Sequence, residues 1–535
     1  MEKTDVTEIS AVIDQLNVPT TAKADDGYVM AIMGKKEQLV RRFGFLSILA
    51  LSITLLSSWE GMTGVFYAGL YNGGPVSLVY GMILSFIGTL ALASSLAEMA
   101  SSNPIAGAQY HWTFTYAPKR AAAFISWMQG WVTVFAWQAT ATSLNYLIAA
   151  QIQGLVVLNF PDSYTHQRWH GTLLMWAITL VVLIINVWCI QLLPLIEMVA
   201  GICHVAFFVA LLVPLVVLAP RSSPEFVFTR LINDQSGWTN PGITWCLGLL
   251  TVTWCFVGFD GAIHMSEEVR NSAVTVPRVL IFTIVINGIM AFGFLLGILF
   301  CIGNVENAIN TPTGFPIIEI FYQATGSKTA ATVMETCIII IAFAASFGNI
   351  ASVSRLTWAF ARDGGLPFSD FFSFVDPTYR IPVRAIGLVS TVIILLSLIN
   401  IGSSTAFNAI ISLSTVALYV SYIIPISCLV LKRFSGEKIV WGPWTLGRFG
   451  PAINVFALCY GVFICIFLPF PSQQPVTAVN MNYAAPVFGF VILFGLTDWF
   501  VRGRKFYVGP RREIDFRQAS KAHELSNVSK KHAHD

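Results

Sequence analysis

Apolar runs long enough to cross a bilayer recur twelve times along this chain of 535 residues. About 20 apolar residues in a helix span the hydrocarbon layer, so each run predicts a membrane-crossing helix. The runs cover 45–71, 75–98, 121–150, 172–192, 195–219, 243–265, 279–303, 332–358, 385–402, 404–431, 452–470 and 484–501. Composition agrees, with 55% apolar and only 11% charged residues. A water-soluble domain carries about 25% charged residues. The expectation is an all-α membrane protein of twelve helices, with a polar, disordered cytosolic tail over 1–44, a twelve-helix membrane body over 45–501 and a basic cytosolic tail over 502–535.

A net charge of +3 is too small to argue for a nucleic-acid partner. Nine cysteines are scattered through apolar runs without CxxC or Cys/His ligand spacing, which reads as packing rather than disulfides or metal. No phosphate-binding loop, nucleophile elbow or metal-ligand pattern occurs, so neither ATP drive, catalysis nor a cofactor is expected. The opening residues are polar and mixed in charge, so the first apolar helix is expected to direct insertion.

The basic residues orient the chain. With the amino terminus inside, 27 of the 31 Lys and Arg fall in inner segments and four (Arg168, Arg221, Arg230, Lys328) in outer loops. This bias predicts both termini in the cytosol and leaves no Lys or Arg for the membrane core. The segment from Arg502 to Arg512 suits anionic lipid headgroups. The sequon at Asn527 falls in the same cytosolic tail and is expected to be idle.

Acids complete the pattern. Glu98, Glu197, Glu335 and Asp498 fall near expected helix ends, where snorkelling or capping accounts for them. Glu60 and Asp260 fall deep, in Trp59-Glu60-Gly61 and Phe259-Asp260-Gly261, 200 residues apart. A carboxylate at that depth faces a cavity or a partner. Loosened backbone is tolerated there only where it lines a cavity. Interrupted helices at corresponding places in two halves of a chain are the sequence mark of a transporter site. The expected binding residues are therefore Glu60, Gly61, Met62, Thr63 and Gly64 on the first helix, with Val257, Gly258 and Asp260 on the sixth. An aromatic ring just before Asp260 can cover a bound cation. A glycine face for helix packing explains Gly61 and Gly64, but it leaves Glu60 unexplained.

Five motifs in order carry a resemblance. Met62-Thr63-Gly64-Val65-Phe66 resembles the Gly-Ser/Thr-Gly-Val/Ile-Phe signature of amino acid/polyamine/organocation permeases. Trp254 to Asp260 resembles that superfamily's broken sixth helix, and Glu268 to Arg278 the inner loop after it. Asn349 to Arg355 with Ala361 to Pro367 is similar to the eighth helix and its exit. With His264 to Glu268 and Asn72-Gly73-Gly74-Pro75, the chain looks most like the fungal amino acid/choline permease group over about residues 45–505.

The resemblance implies a 5+5 inverted repeat with broken helices one and six, and peripheral helices eleven and twelve. It singles out Trp254 as the ring over the ligand. It also implies import of a small amine or amino acid substrate (amino acid, GABA or choline type) by alternating access, driven by protons. The membrane expected is the plasma membrane, with the vacuolar membrane as the other choice. Met62 stands where the family has its first glycine, which suits a ligand with a prominent cationic end. Proton-coupling candidates are Asp260, His204 on the fifth helix, and Ser352 as the neighbour of His204 on the eighth. A polyamine carrier and a non-transporting nutrient sensor of the same fold remain the alternatives. A channel is disfavoured because only two deep acids are expected.

Overall fold

The computed structural model describes residues 26–234 and 236–513. The sequon at Asn527 and residues 514–535 of the basic tail lie outside them, as do residues 1–25 of the tail expected to be disordered. Eleven helices among the described residues are long and apolar enough to cross a membrane. Nine of them are Phe45–Gly64, Gly74–Ser102, Ala122–Asn159, Arg168–Trp188, Ile190–Leu218, Ser272–Phe300, Lys328–Arg362, Val383–Gly402 and Leu413–Phe434. Gly447–Phe467 and Ala484–Phe506 complete the set. The expected sixth run is the exception, because it divides into Pro241–Trp254 and Gly261–His264 with six residues of turn between. The spans are numbered here one to twelve with that split segment as the sixth. Among the described residues there is no strand, only an isolated bridge between Phe43 and Val269.

Helices prevail because a backbone in hydrocarbon must satisfy its own polar groups. Their pairing repeats with a shift of five spans. Span two packs on seven, three on eight and four on nine. Span one meets seven as six meets two, and five meets eight as ten meets three. This is the architecture of two five-span halves folded around one another.

Burial then sorts the spans. Span eight is 72% buried over its apolar window, whereas spans five and twelve are only 17% buried. Span five turns Leu195, Val199, Ile202, Val209, Val213 and Val217 outward, a face suited to lipid. It nevertheless keeps Glu197 and His204 fully buried on its inner side. Apolar side chains cost nothing against lipid, and the two polar ones do, which fixes the rotation of the helix.

Residues 26–44, expected to lack structure, are instead docked. A short helix, Asp26–Ile32, leads into a segment that lies against the chain's other described terminus. The Gly34 carbonyl accepts from the Glu513 amide at 2.6 Å. Lys35 is buried, pairs with Asp363 just past span eight, and donates to the Arg511 carbonyl at 2.6 Å. Asp363 also accepts from the Arg511 amide at 3.0 Å and the Tyr110 hydroxyl at 2.8 Å. Burial pulls the Lys35 ammonium below its ordinary range, and Asp363 opposes that shift. Against the pull of burial, Lys35 and Arg362 hold the Asp363 carboxyl below the usual carboxylate range.

Removing one partner of a buried ion pair costs about 3–5 kcal/mol, because the other charge stays buried. Asp363→Asn is expected to lower the melting temperature in detergent and to release the strap, with faster tryptic cleavage at Lys35 and Lys36. Unchanged cleavage and melting would show that the pair does not hold the strap.

Candidate functional site

Helix one does break, one turn earlier than expected. The first helix ends at Leu56, and Ser57 turns left-handed at φ 39°. Helix resumes over Ser58–Gly64 and is interrupted again at Val65. Residues 61–64, expected to unwind, are therefore helical. Glycines alone did not place the break. It falls where neighbouring spans satisfy the freed backbone groups.

Those partners are specific. The Ser58 amide donates to Asn287 Oδ1 of span seven at 3.0 Å. The Ser58 hydroxyl donates to the Cys255 carbonyl at 2.7 Å, which joins the break in span one to the break in span six. Thr251 of span six donates its hydroxyl to the Val65 carbonyl at 2.7 Å and accepts from the Gly69 amide at 2.8 Å. In span six, Gly258 takes φ +92°, a conformation that favours glycine. Its amide faces the Tyr422 hydroxyl at 3.4 Å.

A cavity opens beside the two breaks. Ser57, Glu60 and Gly61 line it from span one, and Trp254 and Val257 from span six. Thr140, Leu144, Leu147 and Gln151 form one wall from span three; Ile338, Ala342, Ala345 and Asn349 form the other from span eight. Both sets follow helical spacing along one face. A Cβ built on Gly61 would stand 3.1 Å from the Trp254 ring, so the glycine lets the indole lie over the backbone. No Lys or Arg lines the cavity.

Glu60 is buried, and its Oε1 lies 2.7 Å from His204 Nδ1. Glu60 Oε2 and His204 Nε2 have no hydrogen-bond partner. Trp59, on the far side, packs its ring against His204, Phe208 and Phe294 at centroid distances of 5.8, 6.0 and 4.8 Å. The carboxylate thus has one oxygen committed to an imidazole and one unpartnered, and Glu60 lines a cavity with no Lys or Arg among its lining residues.

Asp260 lies elsewhere. It accepts from the Gln109 amide at 2.5 Å, the Trp137 indole at 3.1 Å and the Tyr422 hydroxyl at 2.6 Å. His264 Nε2 lies 3.4 Å from it. This is a closed polar cluster, and Asp260 does not line the cavity. The two deep acids, both expected to bind the ligand, do not share one chamber here: Glu60 lines the cavity and Asp260 faces protein partners. Met62, Thr63, Gly64 and Gly258 do not line the cavity either. Met62 and Thr63 are fully buried, and the Thr63 hydroxyl donates to the Glu60 carbonyl at 2.6 Å. Leu147 fills the space a Cβ on Gly64 would need.

The fifth helix also departs from expectation. Glu197, read from sequence as a helix-end acid, is fully buried and accepts from Thr54 Oγ1 of span one at 2.6 Å. A Cβ on Gly348 of span eight would stand 2.9 Å from Glu197 Oε1. Glu197, and not His204, therefore bridges spans one and eight. Seven residues separate the two, which is about 10 Å of helix and carries His204 to the level of Glu60. Ser352 donates to the Gly261 carbonyl at 2.9 Å and is no neighbour of His204. The sequence reading overlooked Thr140 and Gln151, although their spacing of eleven on one helical face is a readable signal.

The family model described as amino acid permease matches residues 43–493. The choline transporter of Saccharomyces cerevisiae is 31% identical over 471 residues, covering 87% of this chain and 82% of that one. Amino-acid permease BAT1 of Arabidopsis thaliana is 30% identical over 521 residues, covering 94% and 99%. Amino-acid permease 2 of Neurospora crassa is 29% identical over 497 residues, covering 92% and 91%. With the family model matching most of its length, this chain belongs to the amino acid permease family and is a membrane transporter rather than an enzyme.

Proposed function

We propose that the chain imports a small amine-bearing solute, of amino acid, GABA or choline type, by proton-coupled alternating access. One observation carries this reading: the unpartnered oxygen of Glu60 at a cavity wall that also presents the Trp254 ring and no basic residue. An ammonium there gains a charge-assisted hydrogen bond from the carboxylate. It also gains about 0.5–2 kcal/mol from an aromatic face. The printed names of the similar proteins, a choline transporter and amino acid permeases, support the same substrate class.

Proton coupling follows from how Glu60 is shared. The line from His204 Nδ1 to Glu60 Oε1 holds one proton at 2.7 Å, while Oε2 stays available to the substrate. Substrate cation and proton then occupy the same carboxylate through different oxygens, and the loaded site carries both. The Asp260 cluster with His264, and Ser352 on the Gly261 carbonyl, brace the inner half of span six and move with it. Rocking of one span group against the other around the two breaks would expose the cavity to each side in turn. The basic bias of the sequence supports cytosolic termini, and in this reading uptake takes place at the plasma membrane.

Proteoliposomes with an imposed inward proton gradient are expected to take up labelled choline, GABA or a neutral amino acid in a saturable way. Glu60→Gln is expected to raise KM for that substrate about 10- to 100-fold, the worth of one hydrogen bond to a charged group. A KM within twofold of native would remove Glu60 from the site. His204→Ala is expected to bind substrate yet lose accumulation against its gradient. Uphill uptake undiminished in that variant would take His204 out of the coupling scheme.

A further inference from the structure

Several buried acids are not used by this reading, and one of them has no hydrogen-bond partner at either oxygen. Glu335 of span eight is fully buried, and neither of its carboxylate oxygens has a hydrogen-bond partner. The sequence placed it near a helix end, where snorkelling would explain it, but it does not reach solvent. Ile338, Ala342, Ala345 and Asn349 of the same helix line the cavity. Their alternating spacing of three and four puts Glu335 on the same face, one turn beyond Ile338. Its polar neighbour is Gln151 of span three. Gln151 lines the cavity, is 1% exposed, and has no hydrogen-bond partner at either amide atom. Two side chains without a hydrogen-bond partner thus meet at one end of the cavity, Gln151 in its wall and Glu335 one turn beyond the lining residue Ile338, and no Lys or Arg is among the lining residues.

Position relates this end to Glu60. Gly64 faces Leu147, Glu60 lies one turn before Gly64, and Gln151 lies one turn after Leu147. The two acids are therefore set about 10 Å apart along the bundle. Leu144, Leu147, Ile338 and Ala342 line the wall between and beside them. An apolar stretch flanked by two carboxylates is complementary to an aliphatic chain with a cation at each end. A lone carboxylate in so dry a place is costly unless a cation reaches it.

We propose that Glu335 and Gln151 form a second cation subsite, which takes the distal ammonium of a diamine or of a basic amino acid while the first ammonium sits at Glu60. The inference rests on the cavity being the amine site. Glu335 supplies the charge, and the Gln151 carbonyl accepts a further N–H of the same ammonium.

The test is uptake by the full-length protein in proteoliposomes of labelled putrescine, L-lysine and n-butylamine. Glu335→Gln is expected to raise KM about 10- to 100-fold for a dication, with n-butylamine changed less than about threefold. Glu335→Asp is expected to recover part of the loss. Retained n-butylamine uptake shows that the variant folds. A loss confined to lysine assigns the subsite to a basic side chain, and a loss confined to putrescine assigns it to a diamine. Equal losses for all three amines, or no loss for any, overturn the proposal. Native protein that moves n-butylamine but neither dication sinks the subsite and leaves the cavity reading intact. Native protein that moves none of the three overturns both.

Discussion

A backbone in lipid has no water to bond with, so every break in a helix must be repaid by a neighbour. Spans one and six are broken at mid-length, and the repayment is visible atom by atom. Asn287 takes the Ser58 amide, Ser58 reaches the Cys255 carbonyl, and Thr251 serves both Val65 and Gly69. These bonds run between the two breaks and onto span seven, so the interruptions form one unit. The cavity exists because this unit leaves Gly61 without a side chain under Trp254 and brings Glu60 to the wall.

Charge is arranged around that unit with economy. The basic residues near the body of the bundle are spent at the end that carries both described termini. There Arg355 and Arg42 hold Glu268, and Arg362 holds Glu267. Lys35 and Asp363 tie the two termini to the exit of span eight. Deeper in the bundle the acids meet imidazoles instead, His204 on Glu60 and His264 beside Asp260, and among the described residues Glu197 and Glu335 form no ion pair. Such a split leaves the cavity next to an end laced by ion pairs, as the proposed uptake of a cation requires.

Much of this was legible in the sequence. Twelve apolar runs, the Trp-Glu-Gly and Phe-Asp-Gly interruptions and the positions of Glu60, Gly61 and Val257 follow from residue type and spacing, while Trp254 was singled out by the family resemblance. The break at Ser57 was not legible. Gly61 and Gly64 advertise flexibility, but Ser57 is where Asn287 and Cys255 stand ready, and a partner more than 190 residues away leaves no local trace. Glu197 and Glu335 were misjudged for a related reason. Nearness to a helix end suggests access to water, yet neighbouring spans leave both fully buried.

The sequence by itself determined the solvent, the number of apolar runs and the two places where a helix carries an acid beside a glycine, because those depend on composition and local period alone. Tertiary structure decided which acid meets the cavity, which meets an imidazole and which is closed into a hydrogen-bonded cluster. Those outcomes depend on the rotation and depth of each helix against its neighbours, and one residue of register turns a side chain by about 100°.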